Sequence, residues 1–126
     1  MKKQLIGLMA FTLLAINSMA ATNNGFKYQA VVRNSQGAVI ENSAVLLKIS
    51  ILQGAENGAS VYSEEHQVTT NAFGLINIVI GKGTSQTGTF TSIDWAGNSY
   101  FLKVEMAVGQ STPLELLGVS PLLSVP

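Results

Sequence analysis

The sequence predicts an all-β protein, folded as a single antiparallel β-sandwich of about seven strands. Short runs rich in Val, Ile, Leu and Thr alternate apolar with polar residues, which is the period of a strand with one buried face. Turn residues separate these runs roughly every 8–12 residues, as is typical of sandwiches. No sustained helical period follows the first twenty residues.

The first twenty residues have the pattern of an export signal. Lys2 and Lys3 give a charged start, and the apolar run 5–16 is shorter than the roughly 20 residues that a membrane span requires. Ser18 and Ala20 place small residues at the two positions that signal peptidase reads. We therefore expect cleavage after Ala20 and a mature protein without a transmembrane span, located in the periplasm, on the cell surface or outside the cell.

Cleavage divides the chain into a signal peptide, residues 1–20, and one β-sandwich domain, residues 21–126. The two lysines of the signal leave with it, so seven basic residues become five against seven acidic ones, and the net charge falls from 0 to about −2. This balance disfavours a nucleic-acid surface, which requires clustered Lys and Arg. The chain contains no cysteine, which excludes disulfides, thiol catalysis and cysteine metal sites.

The first two strands are predicted from their alternation. Residues 26–33 alternate until the turn at 34–37, and a brief extended piece follows at 38–40. Residues 44–53 form the second strong strand. The residues of this strand that we expect to face the core are Val45, Leu47, Ile49 and Ile51.

The third predicted strand, residues 61–70, follows a loop in which Asn57-Gly58 is a strong hairpin signal. Its charged residues indicate an edge strand or a strand with one solvated face.

The stretch 69–81 (TTNAFGLINIVIG) is predicted to be a hairpin that leads into a fourth strand at 75–80. Asn71 and Gly74 are turn residues, because asparagine bonds its own backbone and glycine accepts a positive φ without steric cost. The fourth strand is apolar at every position except Asn77. We therefore expect both of its faces to be covered and the strand to lie centrally in its sheet.

The rest of the chain contains two further extended runs. The loop 81–88 (GKGTSQTG) is expected to be a mobile connection, since its glycine order does not fit a phosphate-binding loop. Residues 91–95 are expected to form a helical turn or an irregular plug that seats Trp95. Residues 100–108 alternate as a strand, and a leucine-rich extended segment follows at 113–125.

Two sets of residues are candidates for binding. Trp95, with Asp94 beside it and Tyr100 nearby, is a candidate platform for a carbohydrate, because an aromatic ring offers an apolar face with a polar rim. The alternative is that Trp95 is a core plug that caps one end of the sandwich. The second set is a candidate partner-contact segment near the C-terminal end, and it consists of Leu114, Leu116, Leu117, Leu122 and Leu123.

His66 is the only histidine, and Glu64 lies on the same face of its strand. These two residues supply at most two metal ligands, fewer than the three or four of a tight site. No Gly-Xaa-Ser-Xaa-Gly motif for a serine nucleophile occurs. We therefore predict a structural histidine, no enzyme activity, and no catalytic, metal-binding or cofactor-binding residues.

Five motifs occur in order along the predicted domain: GFKYQAVVRNSQGAVIENSAVLLKISILQG, VYSEEHQVTTNAFGLINIVIGKGT, FTSIDW, YFLKVEM and LLGVSPLLSVP. Together they resemble the N-terminal module of many secreted and surface proteins of Bacteroidetes, most of them uncharacterised. The resemblance implies an exported module that is commonly followed by further domains of the same polypeptide.

A looser resemblance rests on VVRNSQGAVIENSAVLLKI followed by TTNAFGLINIVIG. This pattern is similar to transthyretin-like, carboxypeptidase-regulatory and Cna-B-type sandwiches, which implies a transthyretin- or immunoglobulin-like fold used as a stalk or adaptor. Cna-B-like stalks sometimes cross-link a mid-strand Lys and Asn beside a buried acid. By that resemblance, Lys48 and Asn77, with Glu64 or Glu105, are an alternative cross-linking set.

These observations predict an exported, non-enzymatic structural, adaptor or adhesion-type module of the bacterial cell envelope or extracellular space. Its expected partners are other envelope or surface proteins, or downstream domains of the same polypeptide, with no cofactor and no nucleic acid. The alternative is a carbohydrate- or peptide-binding domain that uses the Trp95 region and the loops at one end of the sandwich.

Overall fold

The computed structural model describes residues 9–12, 25–109 and 113–122. Within these residues the chain forms eight strands and one short 3-10 turn. They are β1 (Met9–Thr12), β2 (Phe26–Arg33), β3 (Ala44–Gln53), β4 (Ala59–Thr69), β5 (Leu75–Ile80), β6 (Thr84–Thr87), the 3-10 turn (Phe90–Ser92), β7 (Tyr100–Val108) and β8 (Glu115–Leu122). The bounds of β2, β3, β5 and β7 are those predicted from alternation.

The strands form two antiparallel sheets. The large sheet has the order β6-β4-β3-β7-β8, and the small sheet consists of β5 and β2 with β1 on the outer edge of β2. Seven of these strands, β2 to β8, come from the predicted domain and form the two layers of a β-sandwich. The prediction of an all-β sandwich of about seven strands is confirmed.

The core lies between the two sheets, and buried residues alternate with outward ones along the strands. The four residues of β3 that were predicted to face inward are each 3% exposed or less. The other strands contribute Ala30, Val32, Tyr62, Ile76, Ile78, Ile80, Leu102, Val104 and Met106. Because burial of a Val, Leu or Ile side chain contributes about 1.5–3 kcal/mol, this interface is the main source of stability.

The turn that contains Asn71 and Gly74 joins the two sheets and does not form a hairpin. β4 pairs with β3, whereas β5 pairs with β2. The local chemistry is as predicted: Asn71 Oδ1 accepts the backbone N–H groups of Phe73 and Leu75 at 2.8 and 3.0 Å, and Gly74 has a φ of 78°. The hairpin prediction is wrong because the same turn residues suit both connections, and the strand partner is chosen by distant residues.

The predicted central position of β5 is also wrong. β5 lies at the edge of the small sheet, with Ile76, Ile78 and Ile80 buried and the residues between them on the outer face. Asn77 is exposed on that outer face, so its amide needs no buried partner. The sequence indicated that both faces of this strand are buried, because the outward residues Leu75 and Val79 are apolar as well.

Lys48 and Asn77 lie too far apart in the fold to form the alternative cross-link. Lys48 stands between the buried Leu47 and Ile49 of β3, so it points out of the large sheet. Asn77 points out of the small sheet, on the opposite surface of the sandwich. The resemblance to cross-linked stalks therefore does not extend to this pair.

The loop 81–88 contains a paired strand where a mobile connection was predicted. β6 pairs with β4 through Ser63 opposite Thr87 and Glu65 opposite Thr84. β4 consequently lies between β6 and β3, so of the two predicted alternatives the edge strand is wrong. The other alternative, a strand with one solvated face, agrees with the exposed Gln67 and Thr69. The loop between β3 and β4 is a hairpin, as Asn57-Gly58 predicted.

Candidate functional site

Aromatic rings gather at one end of the sandwich, around the 3-10 turn. This end cluster consists of Phe26, Tyr62, Phe90, Trp95 and Tyr100. Phe90 is buried, and its ring lies 5.3 Å from that of Tyr62 and 5.7 Å from that of Trp95. The irregular segment after β6 therefore seats Trp95 against the core, as the plug interpretation expected.

The ring of Trp95 is engaged by its neighbours. It makes edge-to-face contacts with Phe26 at 6.2 Å and with Tyr100 at 5.2 Å, and the residue is half-buried. Such contacts stabilise aromatic pairs in protein cores and hold the Trp95 ring among its neighbours. The geometry favours a plug, and the ligand-platform interpretation stays a prediction.

The other two candidate platform residues lie beside Trp95. Tyr100 is buried, and its hydroxyl donates a hydrogen bond to the backbone oxygen of Asp94 at 3.0 Å, while Asp94 itself is exposed. Within the described residues, Trp95 Nε1 is a buried donor without a hydrogen-bond partner. The structure thus places Trp95, Asp94 and Tyr100 together, and the indole N–H of Trp95 is the donor that has no hydrogen-bond partner among the described residues.

A second cluster, which the sequence analysis missed, is centred on the carboxylate of Glu64. Glu64 is fully buried. The Tyr62 hydroxyl donates to its Oε1, and His66 Nε2 lies 2.5 Å from its Oε2. The backbone N–H of Gly81 donates to both carboxylate oxygens at 3.0 Å. We call Tyr62, Glu64, His66 and Gly81 the Glu64 clasp.

The Glu64 clasp joins the two sheets. Glu64 belongs to β4 of the large sheet, and Gly81 directly follows β5 of the small sheet. A carboxylate oxygen accepts hydrogen bonds, and here the Tyr62 hydroxyl and the Gly81 N–H donate to it while His66 Nε2 lies within hydrogen-bond distance. This explains how a charged residue is buried at low cost.

The Glu64 clasp also determines the chemical state of Tyr62. Burial raises the pKa of Tyr62 well above 10.0, and the hydrogen bond to Glu64 and its charge raise it further. Tyr62 therefore remains a protonated donor at neutral pH. His66 is held in the same network, with 11% of its side chain exposed. Tyr62, Glu64 and Val68 lie on one face of β4, and this alternation could have indicated that the face is buried. The charged residues of the strand were interpreted instead as signs of a sheet edge or a solvated face.

A cleft of about 280 Å³ lies beside the Glu64 clasp. It is lined by Gly81, Lys82, Gln86, Gly88, Thr89 and Phe90, and the Gln86 side-chain amide donates to the Gly83 oxygen at 3.1 Å. Across the described residues, no group of three or more His, Asp or Glu side chains converges on one point.

The leucines of the candidate partner-contact segment divide between the core and the surface. Leu117 and Leu122 pack against the core from β8, and Leu114 is half-buried just before that strand. Leu116 is 57% exposed, and Leu123 lies outside the described residues. β8 forms one edge of the large sheet, so its outer side is not covered by another strand of that sheet.

Comparison with protein families gives one match. The family model described as "Domain of unknown function (DUF8740)" matches residues 27–118, which run from β2 into β8. No curated protein and no solved structure matches the chain. None of the described segments is a helix with the length and apolar character needed to cross a membrane.

Proposed function

We propose that the chain, which belongs to this family of unknown function, is an exported, non-enzymatic structural or adaptor module of the bacterial cell envelope or extracellular space. Its partners in this proposal are other envelope or surface proteins, or further domains of the same polypeptide. It contacts them through the exposed edges of its sheets.

The observation that carries the proposal is the edge strand β8. An edge strand presents unpaired backbone N–H and C=O groups, and proteins commonly shield such edges with charges or short strands. β8 is eight residues long and exposes Leu116, while Leu117 fixes the strand to the core. The exposed Leu116 supports contact with another chain, while a register irregularity beside it and Pro121 interrupt backbone pairing along the rest of the edge.

Export is supported by the first twenty residues. Two lysines, an apolar run and small residues at positions 18 and 20 form the three parts of a signal peptide. A sandwich without cysteine also folds in an oxidising compartment without the risk of wrong disulfides.

The non-enzymatic part of the proposal is supported by the use that the fold makes of its buried ionisable groups. Glu64 and His66 come closest to an acid–base pair, but Glu64 is occupied by Tyr62 and by the Gly81 backbone. This arrangement stabilises the contact between the sheets and leaves no free carboxylate oxygen for a substrate.

One experiment in the native bacterium tests whether the signal peptide is removed, where the protein is located, and which protein it contacts. The full chain is produced with a photo-cross-linking amino acid at Leu116, or, as a matched control, at Gln67, which is exposed on β4. We expect an intact mass that lacks residues 1–20, recovery from the envelope or the medium, and a cross-link to one envelope protein from position 116 only. An uncleaved chain in the cytoplasm, or equal cross-linking from both positions, contradicts the proposal.

A second candidate is a carbohydrate- or peptide-binding domain that uses Trp95, Asp94 and Tyr100. The observation that favours it is the Trp95 indole N–H, which has no partner within the described residues and lies next to the exposed Asp94. A glycan array probed with the wild type and Trp95→Phe tests it, because the substitution removes the donor and keeps an aromatic ring. Binding that is lost in Trp95→Phe favours this candidate, and the absence of binding by the wild type excludes a glycan ligand from the array.

A further inference from the structure

The outer edge of β2 is the place where the predicted signal peptide meets the sandwich. β1 pairs antiparallel with the second half of β2, and all of β1 lies within residues 1–20. Cleavage after Ala20 therefore removes this strand. The small sheet of the processed chain, residues 21–126, then has two strands against the five of the large sheet.

The backbone of β2 shows which groups the cleavage exposes. The Val32 N–H donates to the Gly74 oxygen at 2.8 Å, and the Val32 oxygen accepts from the Ile40 N–H at 2.9 Å. Both backbone groups of one residue point to the same side of a strand, and successive residues alternate. Gln29 and Val31 consequently direct their backbone groups to the outer edge, where β1 lies. Among the strands that the structure describes, only β1 pairs with this edge of β2.

The edge of β2 borders a gap between the two sheets. β1 lies beside β8 of the large sheet as well as beside β2. A cavity of about 100 Å³ opens between these strands, lined by Tyr28, Val104, Leu117, Gly118, Val119 and Ser120. A strand at the position of β1 therefore pairs with the open edge of β2 and lies next to this gap.

The charges beside this edge indicate what kind of strand fits. The outward row of β2 contains Lys27 and Arg33, and neither β2 nor β5 contains an acidic residue. Two copies that paired through β2 would bring these positive charges together, which is destabilising. The residues of the processed chain before β2, 21–25, allow at most a two-residue turn and three paired residues, which is too short for the edge from Lys27 to Arg33.

We propose that removal of residues 1–20 opens the outer edge of β2 as an acceptor for an extended strand of a different envelope protein. The strand runs antiparallel to β2, with alternating apolar and acidic residues. Its apolar row covers the gap between β2 and β8, and its acidic row lies beside Lys27 and Arg33. This inference rests on the proposed export and adaptor function, and it adds the acceptor edge and the chemistry of the partner strand.

The probe is a peptide built on the strand that occupies the edge in the structure. In the observed register Met9 lies opposite Arg33, and a peptide that continues this register would have its eighth residue opposite Lys27. The acidic peptide, LEAFTLLEI, is the sequence of residues 8–16 with Met9→Glu and Ala15→Glu. The basic peptide, LKAFTLLKI, carries lysine at both positions and is otherwise identical.

Binding of the two peptides is measured by calorimetry on the processed chain and on the unprocessed chain. The core residues for which the structure describes burial lie between Phe26 and Leu122, so the processed chain contains all of them. We expect the acidic peptide to bind the processed chain at least tenfold more tightly than the basic peptide, and the unprocessed chain to bind neither. Equal affinity for the two peptides, or equal binding to both forms of the chain, overturns the inference.

Two matched controls separate strand pairing from general attraction. Lys27→Glu should abolish the preference between the peptides, because each peptide then has one favourable and one unfavourable charge pair, one at position 27 and the other with Arg33. Lys48→Glu, on the outer face of the large sheet, should leave the preference unchanged. N-methylation of the peptide phenylalanine, which lies opposite Val31, should abolish binding. N-methylation of the following threonine, whose N–H points away from β2, should not.

The remaining outcomes distinguish this inference from the function on which it rests. A processed chain that dimerises through β2, or that binds no acidic peptide, overturns the inference about the edge of β2. The proposed function is still supported in that case if the protein is found in the envelope and position 116 gives a cross-link. A chain that is never cleaved and stays in the cytoplasm overturns both.

Discussion

Trp95 is the residue on which the choice between a core plug and a ligand platform depends. We expect Trp95→Ala to lower the free energy of unfolding by about 3–5 kcal/mol, because it removes a ring that contacts Phe26, Phe90 and Tyr100. Trp95→Phe keeps an aromatic ring and removes a donor that has no partner within the described residues. It should cost less than about 1.5 kcal/mol. Urea unfolding of the processed chain measures both values. A fully stable Trp95→Ala variant contradicts the plug.

Glu64 is the residue that joins the sheets by hydrogen bonds. Glu64→Gln replaces one acceptor oxygen by a donor that faces Tyr62, His66 or the Gly81 N–H, so we expect a loss of about 2–3 kcal/mol in the free energy of unfolding. The matched control is Glu65→Gln, since Glu65 lies on the opposite face of β4 and is only partly buried. It should change stability by less than about 0.5 kcal/mol. Equal effects of the two substitutions exclude the clasp as a source of stability.

Tyr62 makes the stability depend on pH in the alkaline range. Its pKa in the folded protein is raised above the ordinary 10.0, so the fold keeps the proton under conditions in which the unfolded chain loses it. The contribution is therefore complete below pH 10 and declines as the pH rises above 10. Unfolding measured between pH 8 and 12 should show a steeper alkaline loss for the wild type than for Tyr62→Phe. Parallel curves disagree with this assignment.

The burial of residues could be predicted where apolar and polar residues alternate regularly, and it was predicted wrongly where a charged residue interrupts the alternation. The inward residues of β3 follow from simple alternation, because β3 lies in the middle of the large sheet and one of its faces packs against the small sheet. Glu64 occupies an inward position on β4, but a charge at such a position normally indicates solvent. Its burial depends on the Gly81 N–H, seventeen residues away, which no local pattern reveals.

At the scale of elements, the connection between β4 and β5 is where chain geometry matters most. Gly74 has a φ of 78°, and a Cβ there would lie 3.0 Å from both the Val32 oxygen and the Val39 Cβ. Gly74→Ala should therefore cost the left-handed strain of about 1–2 kcal/mol and roughly 1 kcal/mol more from crowding. Gly37→Ala is the matched control, since Gly37 has a φ of 88° with no atom within 4 Å of the added Cβ.

Thermal or urea unfolding of these two variants separates strain from crowding. We expect Gly74→Ala to be the less stable of the two. A Gly37→Ala variant that is equally destabilised shows that crowding against β2 and Val39 contributes nothing.

Element bounds were easier to predict than element partners. Turn residues follow β2, β3, β5 and β7 directly, so the bounds of these strands can be predicted from neighbouring residues in the sequence. The pairing of β5 with β2, and not with β4, depends on residues more than forty positions apart. β6 was missed because four exposed polar residues have no apolar alternation, and only pairing with β4 makes them a strand.

At the scale of the whole molecule, the sandwich is asymmetric. Five strands of the large sheet face two strands of the small sheet once the predicted signal peptide is removed, and the edges of β2 and β8 lie on either side of one gap. The sandwich itself was predictable from the spacing of strands and turns. The gap was not, because it depends on which strands end up at the two edges.

The most direct test of this account is residue-resolved amide hydrogen exchange of the processed chain by NMR, with and without the acidic peptide LEAFTLLEI. Without the peptide, the amides of Gln29 and Val31 should exchange rapidly, while those of Ala30 and Val32 stay protected by the pairing with β5 and Gly74. Addition of the peptide should slow exchange at Gln29 and Val31. If these two amides are as protected as Ala30 in the peptide-free processed chain, the edge of β2 is already closed and the account is contradicted.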